Sequence, residues 1–191
     1  PSKILVERIL DSTQFHQLQE ISPYGLESET IELTYAGKIL PVDEEGSRLS
    51  IDYFEDFDAV IHVGLNEKAK KIRFEMCAIN ESDFRIPDNS GRQLAESFVD
   101  ESGLALLHTT AHRPSIAHAF SDNDAVEISE DCGQFVCNET YYRTLHSIEN
   151  RGLQSRGRAL PAIFVHIPPF EFVSEEKQLE ILCELSARIV Q

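Results

Sequence analysis

Apolar positions along this chain recur at helical spacing in some stretches and as continuous or alternating runs in others, and the two rhythms take turns. Ile4, Leu5, Ile9, Leu10, Phe15 and Leu18 follow Pro1-Ser2 at helical spacing and predict an amphipathic helix over 3–19, ended before Ser22-Pro23. Thr30 to Tyr35 alternates like a half-buried strand, Arg48 to Phe57 reads as a short helix, and Asp58 to Leu65 reads as a buried strand stopped by glycine. A strand over Lys71–Ile79 comes next. From Asn80 to Ala111 turn residues are dense, with Pro87-Asp88-Asn89-Ser90-Gly91 and Asp100-Glu101-Ser102-Gly103, which predicts a long loop of the kind that serves function. Beyond it the pattern predicts a helix over Pro114–Phe120, a strand over Ala125–Ser129, and a helix from Phe135 to Glu149 closed by Asn150-Arg151-Gly152. A strand over Ala159–Ile167 is broken by Pro168-Pro169. The last helix is capped at Ser174 and shows Leu179, Leu182, Leu185 and Ile189 on one face. This alternation of helix and strand predicts the α/β class: a three-layer α/β/α sandwich on a mainly parallel mixed sheet, one domain over 1–191, with its chemistry at the carboxyl ends of the strands.

Charge narrows the range of partners. With 33 acidic against 17 basic side chains the formal charge is -16, whereas binding a polyanion rests on Lys and Arg displacing counterions from phosphates. No nucleic-acid partner and no anionic membrane surface is expected. No segment approaches the ~18 uninterrupted apolar residues of a spanning helix, and Pro1-Ser2-Lys3-Ile4 lacks the layout of a secretory leader, so a cytoplasmic location is expected. The four cysteines, Cys77, Cys132, Cys137 and Cys183, are too few for a disulfide scaffold in a chain of this length, and a reducing compartment keeps them as thiols.

Three residues stand out as candidates for chemistry. Cys137 lies in Gly133-Gln134-Phe135-Val136-Cys137-Asn138, where a glycine turn runs into a predicted helix; amide hydrogens and the positive dipole end there lower a thiol pKa. The same position suits a small buried hydrophobe, and local context leaves both readings open. His166 ends the apolar run Ala162-Ile163-Phe164-Val165 and could serve Cys137 as general base, or be a hydrogen-bonded structural histidine. Of the other histidines, His62 also follows a strand-like run, and the rest fall in predicted helices or loops. Glu75 interrupts Ile72-Arg73-Phe74-Glu75-Met76-Cys77 on the face opposite Phe74 and Met76. It could orient an imidazole, pair with Arg73, or face solvent on an edge strand. No metal or cofactor is expected: Cys-x-x-Cys, His-Glu-x-x-His and glycine-rich phosphate loops are all absent.

Taken together, three segments resemble the type I pyroglutamyl peptidases, cytosolic cysteine peptidases that remove an amino-terminal pyroglutamate. Phe74-Glu75-Met76-Cys77-Ala78-Ile79-Asn80, continuing to Asp83-Phe84-Arg85-Ile86-Pro87-Asp88-Asn89, resembles the family's glutamate strand and the loop after it. Gly133 to Asn138 resembles its nucleophile segment, and Phe164-Val165-His166-Ile167-Pro168 resembles its histidine segment. The resemblance implies Cys137 as nucleophile, His166 as base and later proton donor, Glu75 as the group that orients the imidazole, and Arg85 near the oxyanion. It implies peptides with an amino-terminal pyroglutamate as substrates, cleaved through a thioester. Asp83 and Asp88 match acidic positions of the loop, where turn hydrogen bonds suit them as well as substrate contact does. Family members open with a strand and a Gly-Phe-x-Pro-Phe loop that would precede Pro1, so the chain is expected to be N-terminally incomplete. The competing expectation is a catalytically silent relative that binds peptide ends or another protein.

Overall fold

The computed structural model describes the backbone of residues 1–10, 14–22, 25–52 and 54–191, and side chains outside 11–32, 53 and 55. In chain order the elements are helix α1 (Ser2–Leu10), strands β1 (Gln14–Ser22) and β2 (Gly25–Leu33), helix α2 (Glu44–Leu49) and a 3-10 turn (Phe54–Asp56). Strands β3 (Val60–Leu65), β4 (Ile72–Glu75), β5 (Cys77–Ile79) and β6 (Leu106–His108) follow, then helix α3 (Arg113–Ala119), strand β7 (Val126–Ser129) and helix α4 (Val136–Arg151). Strands β8 (Gln154–Ser155), β9 (Arg158–Ala159) and β10 (Ala162–Ile167) precede the last helix, α5 (Glu175–Ile189).

Four strands form the central sheet in the order β3-β10-β4-β7. β10 runs parallel to β3 and β4 runs parallel to β7, while β10 and β4 are antiparallel, so the sheet is mixed with parallel pairing predominating. Helices cover both faces. On one, Phe74, Ile163, Val165 and Ile167 pack with Leu5 of α1, Ile116 of α3 and Ile181, Leu182 and Leu185 of α5. On the other, Ala162 and Phe164 pack with Tyr141, Leu145 and Ile148 of α4. The 4- and 3-residue spacing of those three side chains puts them on one stripe of α4, where each contributes roughly 1.5–3 kcal/mol by leaving water. This is the expected α/β sandwich.

Local differences from the sequence expectation have identifiable causes. Helix over 3–19 is corrected: α1 ends at Leu10, residues 11–13 lie outside the described residues, and Gln14–Ser22 is a strand paired antiparallel with Gly25–Leu33, Phe15 opposite Glu32. Apolar residues three apart over so short a run do not separate the two structures, and Asp11-Ser12-Thr13 is a run of low helix propensity. The helix expected from Arg48 begins earlier because Asp43, extended at φ -159, caps it by accepting from the Gly46 amide at 2.9 Å. The strand expected over Lys71–Ile79 changes partners at Met76, whose amide bonds Ser129 O and whose carbonyl accepts from Thr109 N. Phe74 and Met76 therefore pack on one side of the sheet and Ala78 on the other. Strand β10 starts only at Ala162, after the proline at 161, with a small β8–β9 hairpin before it. The predicted α4 is found with its glycine stop: Gly152 adopts φ 60, ψ 37.

Candidate active site

Sheet register brings the candidate residues into one row. Residues two apart on a strand share a face, and on the α4 side of the sheet Arg73 and Glu75 of β4 lie opposite His166 and Phe164 of β10 and opposite Glu127 and Ser129 of β7. Glu75 is fully buried and accepts a hydrogen bond from His166 Nδ1 at 2.8 Å. That contact holds the imidazole as the tautomer or cation with a proton on Nδ1 and leaves Nε2 for another partner. Arg73 Nε lies 4.0 Å from the same carboxylate oxygen. Both partners weighed for Glu75 from sequence are therefore present, while a solvent-facing position is excluded by its burial. Glu75 is the last residue of β4 and His166 the last but one of β10, so each stands at the carboxyl end of its own strand. The expectation that the site collects at carboxyl ends holds for both of these strands.

Cys137 is brought to this row by the start of α4. It is the second residue of the helix, where the first N–H groups have no intrahelical acceptor. The helix start is pinned by Asn138, wholly buried, whose side chain accepts from Ile79 N at 3.0 Å and donates to Ile79 O and Glu81 O, each at 2.9 Å. Tyr141 Oη, one turn on, donates to the Glu75 carbonyl at 3.1 Å. Ahead of the helix, Gly133 has φ 77, a conformation that favours glycine, and its amide bonds Asp131 Oδ1 at 2.9 Å. The Cys137 sulfur lies beside β3, 3.2 Å from the point where a Cβ on Gly64 would stand. Gly64 is itself the register partner of His166.

The electrostatics separate the four thiols. Burial pushes the Cys77 thiol up to about 11, helped by Glu130, whose carbonyl accepts from its sulfur at 3.1 Å. Burial also raises Cys132 and Cys183, so all three stay protonated. Of the four, Cys137 alone is partly exposed. For His166, burial disfavours the cation, but hydrogen bonding and charge interaction with Cys137 and Glu75 outweigh it and push the imidazole up to about 9. The geometry thus favours a protonated imidazole between a sulfur and a buried carboxylate.

A groove of about 790 Å³ opens over Cys137, with Gly64, Phe135, Val136, Phe164, His62 and Thr140 among its walls. His62 is not part of the row: its Nε2 meets Thr144 Oγ1 at 2.8 Å, and since that hydroxyl donates to Thr140 O, the imidazole must be the donor. Burial lowers its pKa to about 4, so it is neutral. Arg85 lies in the loop after β5, its side chain exposed and its carbonyl accepting from Gln93 Nε2 at 3.2 Å. The loop is fastened close to α4: Asp83 N donates to Gln134 O at 3.1 Å, and the Phe84 ring stands edge-on to Phe135 at 4.9 Å. Asp83 is exposed, whereas Asp88 accepts from Ser90 and Arg92 and serves the turn. Sequence reasoning did not assign Asn138, Gly64 or Tyr141 a part in the site. An Asn inside the first turn of an otherwise buried helix face was the available signal for Asn138; the other two needed register and packing.

An α/β sandwich whose helix start sets a thiol beside an imidazole and a buried carboxylate has the layout of a cysteine-peptidase-like protein. The family model for pyroglutamyl peptidase matches residues 44–181, and the chain belongs to that family. It is 35% identical over 112 residues to pyrrolidone-carboxylate peptidase 1 of Ralstonia nicotianae, covering 58% of this chain and 50% of that one. It is 30% identical over 149 residues to the pyrrolidone-carboxylate peptidase of Bacillus cereus, covering 75% and 67%. The chain spans about half the length of several curated relatives it matches. The fold is like that of the pyrrolidone carboxyl peptidase of Thermococcus litoralis, with a TM-score of 0.73 at 24% identity, covering 97% of this chain and 85% of that one. Among the described residues no helix is long and apolar enough to cross a membrane.

Proposed function

We propose that this chain is a cysteine exopeptidase that hydrolyses the amino-terminal pyroglutamyl residue of peptides, acting in the cytosol, with Cys137 as nucleophile, His166 as acid and base and Glu75 as orienter. The observation that carries this reading is the 2.8 Å bond between buried Glu75 and His166 on the strand beside Cys137. The attacking form is the thiolate, with the proton carried by the imidazole. Sulfur adds to the pyroglutamyl carbonyl, and the developing oxyanion is met by N–H groups at the start of α4. Arg85 assists there through the loop that Phe84 and Asp83 tie to the helix. His166 gives its proton to the departing amine, which leaves as the shortened peptide, and a thioester remains on Cys137. The now neutral imidazole takes a proton from water, hydroxide attacks the thioester, and thiolate and imidazolium return. The lactam is small and neutral, so the aromatic walls of the groove and backbone groups suit it.

A fluorogenic pyroglutamyl amide tests the proposal. The wild-type chain should release the fluorophore, and Cys137→Ala and His166→Ala should each abolish release with the melting temperature nearly unchanged. Turnover retained in either variant removes the assignment. A folded wild type that turns over no pyroglutamyl amide favours the silent binding module instead.

A further inference from the structure

We propose that Arg73 is a positioning residue for the Glu75–His166 pair, its guanidinium supplying positive charge beside the buried carboxylate when the imidazole is neutral. This rests on the catalytic reading of that pair. A carboxylate as buried as Glu75 needs an opposite charge nearby. While His166 is protonated it supplies that charge. Once the imidazole has given its proton to the leaving amine, it no longer does, and Arg73 then supplies it. The carboxylate so balanced keeps accepting the Nδ1 proton, and the ring keeps the orientation that leaves Nε2 free to act on water.

Among the described residues the groups around the pair leave Arg73 as the cation for the task, since Arg113 of α3 acts on Cys77 and pairs with the exposed Glu130. Facing Glu75 are His166 from β10, Tyr141 from α4 and the thiols Cys77 and Cys132, while Cys137 of α4 meets His166. Burial raises Cys77, Cys132 and Tyr141, so none of them carries charge near neutrality. Arg73 is on the same face as Glu75, opposite His166 in the register, with Nε 4.0 Å from Glu75 Oε1. Its other end is held from β7: Nη2 donates to Ser129 Oγ at 2.9 Å, and Nε lies 3.7 Å from Glu127. Glu127 is half exposed, with a side chain 52% accessible, and water screens its claim on the guanidinium; Glu75 is fully buried. The arginine therefore stands between a screened carboxylate and an unscreened one, and its charge bears mainly on the unscreened one.

The sign of the effect follows. The Arg73 cation repels a proton arriving at the Glu75–His166 pair, so its removal must raise the pH at which that pair takes up a proton. Titration of the His166 ring by NMR in a Cys137→Ala background isolates this pair from the thiolate and requires no turnover. Adding Arg73→Met should move the midpoint up by about one pH unit, a roughly tenfold gain in proton affinity, and Arg73→Lys should restore it. In a Glu75→Gln background the same Arg73→Met change should shift the midpoint much less. Glu127→Gln, at a half-exposed site that the fold tolerates, should move the midpoint the other way and serves if Arg73→Met does not fold. In the Cys137-containing chain the acid limb of kcat should rise with the midpoint in Arg73→Met while KM stays put. A midpoint unchanged in both Arg73→Met and Glu127→Gln overturns the role for Arg73. Absence of pyroglutamyl turnover in the wild type would instead defeat the functional reading, and the titration would still decide this one.

Discussion

Replacing Gly64 by alanine should injure the site more than the fold. Gly64 lies in β3 opposite His166, and an added Cβ would stand 2.8 Å from Phe164 Cζ, 2.9 Å from its Cε1 and 3.2 Å from Cys137 Sγ. Carbon atoms rest at about 3.5–4.0 Å, so the ring must retreat by roughly 0.7–1 Å. It has little room, with ring centroids of His166 at 4.8 Å, His62 at 5.9 Å and Tyr141 at 6.0 Å. Overpacking of this kind costs about 1–3 kcal/mol. Removing a strand glycine returns about 0.5–1 kcal/mol by restricting the unfolded chain. The net loss is at most roughly 2.5 kcal/mol, or up to roughly 10 °C in Tm for a chain of this size. The proposed catalytic atoms are less forgiving: a shift of about 1 Å can cost about a hundredfold in rate, and both the sulfur and the ring packed at a tilt against His166 are displaced. Iodoacetamide alkylation of Cys137 and kcat/KM on a pyroglutamyl amide should each fall by about 10- to 100-fold, with a cooperative melt retained. Wild-type alkylation and turnover together with an unchanged Tm would show that the sulfur does not sit where this packing puts it.

Other expected outcomes are more direct. His166 is raised from 6.5 to about 9 on folding, so its contribution, roughly 3 kcal/mol, is fully present below pH 6.5 and is lost as pH rises through about 9. Urea unfolding at pH 6 and pH 10 should show that loss in the wild type and not in His166→Gln; parallel slopes would contradict it. Glu139, 1% exposed, accepts from Arg92 at 2.7 Å and from Arg143 at 2.8 Å. Glu139→Gln takes a carboxylate from Arg143 and from Arg92, which keeps Asp88 at 2.9 Å, and should cost about 3 kcal/mol by calorimetry, and a loss below about 1 kcal/mol would mark the network as idle. Gly133→Val meets no atom within 4 Å, but it forces a β-branched residue to φ 77. It should cost about 1–2 kcal/mol of backbone strain and slow alkylation of Cys137, whereas an unchanged alkylation rate would separate the glycine turn from the thiol's reactivity.

What could be read from sequence, and what could not, divides along physical lines. Local rules were sufficient for α4 and α5, because each carries its own stop or cap, Gly152 in one and Ser174 in the other, with apolar residues at helical spacing between. They failed for residues 14–22, where a run of Gln and Glu with three-residue apolar spacing is decided by pairing with Gly25–Leu33 rather than by anything inside the run. They also failed at Met76, because a strand that changes neighbours does so according to where Ser129 and Thr109 lie.

The candidate site divides in the same way. Residue types and local setting singled out Cys137, His166 and Glu75: a thiol at a helix start, an imidazole at a strand end, a carboxylate amid apolar residues. Their meeting is a property of register. A slip of one residue between β4 and β10 would turn Glu75 to the opposite face, and nothing local to either strand forbids it. Tertiary packing also chose among four cysteines by burying three, selected Gly64 for the close approach of sulfur and ring, and set Arg73 beside a carboxylate that sequence could only list among its possible partners. Composition and spacing thus determined which chemistry was available to this chain. Only strand order and register, which depend on contacts between residues far apart along it, decided which groups stand within hydrogen-bonding distance and can act together.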